Sequence, residues 1–188
     1  MHYDLKRRLV LGACALVVAT QGAARAQEKA QQSKTIELGD FKVTAPAEWK
    51  QQQHKSQILS HEFAAPAAEG DKIDGRLTVM QAGGSIDANI DRWYGQFTQP
   101  DGGDTKERAK VQKRVIAGQD VHVVDISGTY KDQAGPFAPA VERPKYRMLA
   151  AIVATEKGNF FLKFYGPERT MAKHEKAFTQ MIDSLSVR

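Results

Sequence analysis

Two adjacent glycines, Gly83 and Gly84, precede an apolar periodicity in QAGGSIDANIDRW, residues 81–93, where a phosphate-cradling loop would sit. A Walker-type loop needs spaced glycines and then Lys-Ser/Thr, because backbone N–H groups wrap the phosphates while the lysine reaches the outer ones. This stretch has no lysine, and the dinucleotide pattern G-x-G-x-x-G is absent too. Ser85 instead suits a helix N-cap, and Asp87 in the first turn complements the helix dipole. The glycines therefore read as a turn from strand into helix.

The histidines offer little metal chemistry. His54 and His61 stand seven apart, with Glu62 beside the second, whereas zinc ligands come in close pairs or on one helix face. His122 and Asp125 are three apart in an alternating strand, so they point to opposite faces. His174 falls on an apolar helix face between Met171 and Phe178 and reads as a hydrogen-bonded histidine at the core edge. No G-x-S-x-G nucleophile elbow occurs, and Ser127-Gly128 in DISGTY reads as a glycine-interrupted strand end. The chain is accordingly expected to hold no metal, no cofactor and no catalytic site. The alternative is an enzyme whose groups assemble from distant residues beside the loop 131–144.

Two further stretches could recognise a partner. IDRWYGQF brings Arg92, Trp93, Tyr94 and Phe97 together like a stacking platform, but Trp93 and Phe97 share a face with Ile90 and read as core. KDQAGPFAPAVERP, residues 131–144, holds three prolines and reads as a long irregular segment. Phe137 sits there between two prolines, with Arg143 and Lys145 following. It serves either as an apolar docking anchor for an envelope partner or as a cap on the core edge.

These residues must be positioned by a scaffold, which periodicity outlines. Ile36/Leu38 and Phe41/Val43 flank Gly39-Asp40 as a hairpin, and Trp49 plugs one end of the core. SQILSHEFAAP, with Ile58, Leu59 and Phe63, and RLTVMQA follow as strands, the second with Leu77 and Val79 on one side and Thr78 and Met80 on the other. Ile86, Ile90, Trp93 and Phe97 mark one helix face. TQPDGGDTKER is a loop. VQKRVI and VHVVDISGTY flank AGQD as a hairpin, and YRMLAAIVAT and FFLKFY flank EKGN as another. The apolar run Met148–Val153 predicts a central strand covered on both faces. Pro167 opens a last helix that buries Met171, Phe178, Met181, Ile182 and Leu185. Antiparallel strands with one internal and one final helix make an α+β domain.

The first 26 residues stand apart. The charged MHYDLKRR, the 12-residue run LVLGACALVVAT and the closing ARA make a cleavable export signal, with cleavage expected between Ala26 and Gln27. Its apolar run is shorter than the roughly 20 residues of a bilayer span. LGAC resembles a lipobox at Cys14, but only five residues separate it from Arg8 and ALVVAT continues the run beyond, so a lipid anchor is not expected. Arg7-Arg8 are read as an ordinary basic start rather than a twin-arginine signal. The whole chain has a net charge of +5; residues 1–26 hold four of its 27 basic and one of its 22 acidic side chains, leaving 23 against 21, a net of +2. No clustered basic face for nucleic acid follows from that balance. The single cysteine leaves with the signal, so neither a disulfide nor a thiolate site is expected in the mature chain. Residues 27–34 read as a disordered polar lead-in and 35–188 as one domain.

FKVTAPAEWK at 41–50 shows the layout F-x-x-x-x-P-x-x-W, and MLAAIVATEKGNFFLKFYGPERTMAKHEKAFTQMIDSLSV closes the chain with strand, turn, aromatic strand and helix. Both resemble the two ends of PsbP-like domains, whose fold is shared with Ran-binding Mog proteins and bacterial exported lipoproteins. The resemblance implies an antiparallel sheet flanked by helices in an α/β/α sandwich, the C-terminal helix packed on the sheet, and members that mostly bind rather than catalyse. Phe41, Pro46 and Trp49 carry over as structural positions, and no functional residue does. The expectation is an exported, periplasmic or secreted, non-catalytic binding or accessory protein. A small-molecule or lipid carrier is the reading that would require a real cavity.

Overall fold

The computed structural model describes residues 33–54, 56–133 and 138–188. Cys14, Ala26, Gln27 and Phe137 lie outside the described residues. The elements are β1 (Lys34–Leu38), β2 (Phe41–Ala45), β3 (Lys50–Gln51), β4 (His61–Ala65), β5 (Gly75–Ala82), α1 (Ile86–Tyr94), β6 (Phe97–Thr98), α2 (Thr105–Arg108), β7 (Lys110–Ile116), β8 (Gln119–Asp132), β9 (Val141–Thr155), β10 (Gly158–Pro167), α3 (Glu168–Asp183) and β11 (Ser186–Val187). The fold is α+β, as expected.

An antiparallel sheet runs in the order β3-β4-β5-β10-β9-β8, with β6 and β7 both lying along the outer edge of β8. Its long central strands are buried on both faces. Along β9, Leu149, Ala151 and Val153 join one core, while Met148, Ala150 and Ile152 join the other. β10 divides likewise: Phe160, Leu162 and Phe164 face one way, Phe161 and Tyr165 the other. Two-sided cover explains why 148–153 reads as an unbroken apolar run rather than an alternation.

On the first face lie α3 and a small sheet, β1-β2-β11. α3 buries Met171, His174, Phe178, Met181 and Ile182, at spacings that keep them on one stripe. Trp49 is buried with them. Its indole N–H donates to His174 Nδ1 at 3.2 Å, and His174 Nε2 lies 2.9 Å from the Pro66 carbonyl. A carbonyl only accepts, so the ring carries its proton on Nε2 and is satisfied on both sides. On the second face, α1 contributes Ile90 and Trp93 over Val124, Ile126, Ile152 and Phe161. Ser85 Oγ caps α1 by accepting from Ala88 N at 3.2 Å, and Gly84 turns the chain with φ +90°.

Several expectations are corrected. Ile58 is 67 % exposed, and β4 begins only at His61, where pairing with Val79 starts; three apolar residues in a window do not supply a partner strand. Phe97 lies on β6, not on the helix: α1 stops at Tyr94, Gly95 closes it, and Phe97 pairs with Tyr130. A spacing of four fits a helix, but a residue just past its end can reach the same core. Ser127-Gly128 is not a strand end. β8 runs on to Asp132, pairing with β9 as far as Asp132↔Val141, so residues 131–132 and 141–144 of the supposed loop are strand. The ladder shifts between Gly128 and Tyr130, opposite Pro144 and Lys145. Pro144 has no N–H to offer, and a bulge is where a strand tolerates that; Lys145 takes φ +57° there. The short helix α2 and the strand β11 carry no sequence period and were not expected.

At the tip of the β7–β8 hairpin, Ala117 and Gly118 have φ +50° and +77°. Two positive φ values in a two-residue loop suit Asn-Gly rather than Ala-Gly, and Ala in this region costs about 1 kcal/mol. Ala117→Asn is therefore expected to raise stability by about 0.5–1 kcal/mol. Urea unfolding should show a higher midpoint at unchanged slope.

Candidate functional site

A cleft of about 350 Å³ lies on the second face, between α1 and the sheet. Its walls follow from the two periodicities. Every second residue of β5 (Arg76, Thr78, Met80, Ala82) and of β10 (Phe161, Lys163, Tyr165) points into it, while Asn89, Arg92, Trp93 and Gln96 come down from α1 and its C-terminal turn. Ser56 and Leu59 close one side. α1 covers only part of the sheet face, so the space beside it is left concave.

Lys163 is the chemical centre of this cleft. Its ammonium donates to Gln96 Oε1 and to the Tyr130 hydroxyl at 3.2 Å. It lies 5.0 Å from the centre of the Tyr130 ring and 4.8 Å from that of Tyr165, within reach of cation–π attraction. No carboxylate lies within 4 Å of it among the described residues. Burial pushes its pKa down to about 8, the charge of Arg76 adds to that, and Asp132 opposes it.

The neighbouring cation is differently placed. Arg76 holds Glu62 by two bonds, Nε to Oε1 at 2.8 Å and Nη2 to Oε2 at 3.1 Å, and gives its Nη1 to the Tyr165 hydroxyl at 2.7 Å. That paired carboxylate raises the pKa of Arg76 and neutralises its charge. Burial raises both tyrosines above the ordinary phenol value. Tyr130 sits in an aromatic cluster with Phe97, Tyr146 and Tyr165, at centroid distances of 5.2, 6.0 and 5.1 Å. At the cleft mouth, Arg92 donates to Asn89 Oδ1 at 2.9 Å.

The residues singled out from sequence lie elsewhere. Arg143 Nε bonds Asp132 at 3.4 Å on the β8–β9 arm, and Lys145 is exposed at the bulge; neither lines the cleft. His122 and Asp125 do point to opposite faces. Asp125 accepts from Arg147 Nε and Nη2, at 2.8 and 2.9 Å, and Arg147 Nη1 donates to Glu175 of α3 at 2.7 Å, an ion-paired strut rather than a vacant site. Burial lowers the pKa of His61, with His54 contributing. Among the described residues, no three His, Cys, Asp or Glu side chains gather as metal ligands. Lys163 was missed, although one signal was present: in FFLKFY it takes an inward position between Phe161 and Tyr165.

No family model and no curated protein sequence matches the chain. Solved structures do resemble it. The cyanobacterial PsbP protein CyanoP of Synechocystis aligns with a TM-score of 0.50 at 12% identity, over 95% of this chain and 99% of that one. LpqN of Mycobacterium tuberculosis, described as involved in cell envelope biogenesis, aligns at 0.49 and 10% identity, over 83% and 90%. PA94 of Pseudomonas aeruginosa, of unknown function, aligns at 0.46 and 12% identity, over 84% and 98%. The likeness to CyanoP is one of fold: the chain has the PsbP-like architecture that its two ends suggested.

Proposed function

We propose that the chain is an exported, non-catalytic binding protein of the cell envelope, and that it takes a small molecule in the cleft between α1 and strands β5 and β10. One observation carries this reading: a cleft of about 350 Å³ with a mostly apolar surface holds a largely buried lysine that has no carboxylate partner among the described residues. Apolar walls with a few convergent polar groups are the usual composition of small-molecule sites, and this volume is at the small end of their range. Among the described residues, no carboxylate, imidazole or thiol lines the cleft. Lys163 thus lacks a proton-transfer partner of matched pKa, which favours binding over turnover. The leader in residues 1–26 supports export, and no helix among the described residues is long and apolar enough to cross a membrane. Docking through Arg143 and Lys145 is the weaker reading, because neither lines the cleft and Arg143 is engaged by Asp132.

The test is to purify the mature chain from the envelope of producing cells, denature it, and analyse the released extract by mass spectrometry. A stoichiometric small molecule is expected from the wild type. It should be lost in Ala82→Phe, which fills the cleft from β5. A wild-type chain that releases nothing, and instead retains a protein partner equally in both forms, would replace carriage by docking.

A further inference from the structure

Building on the reading of the cleft as a small-molecule site, we propose that its ligand is a monocarboxylic acid with an apolar body, its carboxylate seated on Lys163 and its body against Met80, Trp93 and Phe161. Charge counting within the cleft carries this. Of the two cations on its sheet wall, Arg76 is neutralised by Glu62 through a paired fork, whereas Lys163 meets only the neutral oxygens of Gln96 and Tyr130. In the interior of the cleft that leaves one uncompensated cation and so a seat for one negative charge; Arg92, the third cation of the lining, is exposed to solvent and donates to Asn89 Oδ1. An ammonium has three hydrogens, and two have protein acceptors here. The third is open to a ligand oxygen, with the Gln96 amide alongside. Met80, Ala82, Trp93 and Phe161 supply apolar surface for the body of the ligand, and Ser56, Thr78 and Asn89 are neutral polar side chains of the same lining. Arg92, exposed on α1, has no carboxylate partner either among the described residues and would attract an anion on entry.

The ionisation of Lys163 gives this site a pH signature. Four groups face it or act on it: Tyr130 and Asp132 from β8, Tyr165 from β10 and Arg76 from β5. α1 and its C-terminal turn add the cation Arg92 and the neutral Gln96. Both tyrosines are raised by burial and Arg76 by its pair with Glu62, so Lys163 is the group that loses its proton near pH 8. A carboxylate binds the protonated form, and affinity therefore falls as pH rises past that value, toward about tenfold per unit.

The two tryptophans supply the readout, since Trp93 lines the cleft while Trp49 is buried on the opposite face. The mature protein would be titrated with 4-phenylbutyrate, its neutral amide 4-phenylbutyramide and phenyl phosphate, following both indole N–H resonances by NMR. The acid is expected to shift Trp93 and not Trp49, and to bind at least about 10-fold more tightly than the amide. Lys163→Met should weaken the acid by about 10- to 100-fold, the range for hydrogen bonds to a charged group, and the amide, which loses only a bond to a neutral carbonyl, by much less than the acid. Lys163→Arg should keep the affinity and abolish its fall above pH 8. Equal binding of acid and amide would overturn the carboxylate assignment while leaving the cleft a ligand site. Tighter binding of phenyl phosphate would overturn the single-charge argument. No shift of Trp93 by any probe, with no small molecule released from the purified chain, would remove the cleft reading itself.

Discussion

Replacing Phe164 with alanine is expected to destabilise the protein by about 3–5 kcal/mol, near the upper limit for one core truncation. The ring is fully buried at the centre of the first core, 4.5 Å from Trp49, 5.8 Å from Phe178 and 6.4 Å from His174 between ring centres. The truncation costs the transfer free energy of the ring plus the cavity it leaves, and the cavity term depends on how far neighbours can collapse. Here they are tied. His174 is fixed by Trp49 on one side and the Pro66 carbonyl on the other. The start of α3 is held by Thr170, whose Oγ1 donates to Asp71 at 2.6 Å and accepts from Ala68 N at 3.0 Å. Beneath the ring is Gly75, where a Cβ would stand 2.8 Å from Phe164, so the aromatic lies on bare backbone that has no side chain to swing inward. Urea unfolding at equal slope would measure the loss. A loss below about 2 kcal/mol would mean that α3 can settle onto the sheet and that the clamps are weaker than their geometry implies.

Phe164 also shows what could be read from the amino-acid order alone. β9, β10 and α3 were legible because their signals are local and long: a six-residue apolar run, an adjoining aromatic strand, and five apolar side chains at helical spacing. Both closing hairpins were legible for the same reason. The turn at Gly83-Gly84 could be separated from a phosphate loop because such a loop requires a lysine that is absent. What failed were inferences whose answer lies in a distant partner. Ile58 lacks a strand to pair with, Phe97 reaches the second core after its helix has ended, and Lys131 and Asp132 find Glu142 and Val141 across what looked like loop. The cleft failed for that reason too. Arg76, Gln96, Tyr130 and Lys163 come from four separate segments, and only the strand order β5-β10-β9-β8 with α1 laid over it brings them together. A search for close ligand pairs or nucleophile motifs passes over a lone lysine in FFLKFY. The alternation that made Leu162 and Phe164 core also made Lys163 inward on the opposite face.

Lys163→Met is expected to have the opposite sign to the neighbouring truncation: a gain of about 1–2 kcal/mol at pH 7. The wild-type lysine has a pKa of about 8 when folded against an ordinary value of 10.5. Between these values the unfolded chain binds more protons than the folded one, so stability rises with pH across that window. A shift of 2.5 units corresponds to about 3 kcal/mol between its two limits, at 1.36 kcal/mol per unit. Most of that penalty is present at pH 7, and about 2 kcal/mol of it should be relieved by pH 9.5. Methionine fills a similar volume without the charge, against which stands about 1 kcal/mol for the hydrogen bonds lost at Gln96 and Tyr130. Replacing buried ionic groups by well-packed apolar ones is often stabilising in this way. The decisive quantity is the difference between the two proteins in urea-unfolding free energy at pH 7 and pH 9.5, because every other titrating group is shared and cancels. Wild type should approach the variant as pH rises. If the variant is less stable at pH 7 and the gap does not change with pH, Lys163 is a structural post held by its two hydrogen bonds. If the gap closes, the fold is better off without this charge, and the reason for its position lies in what the cleft binds.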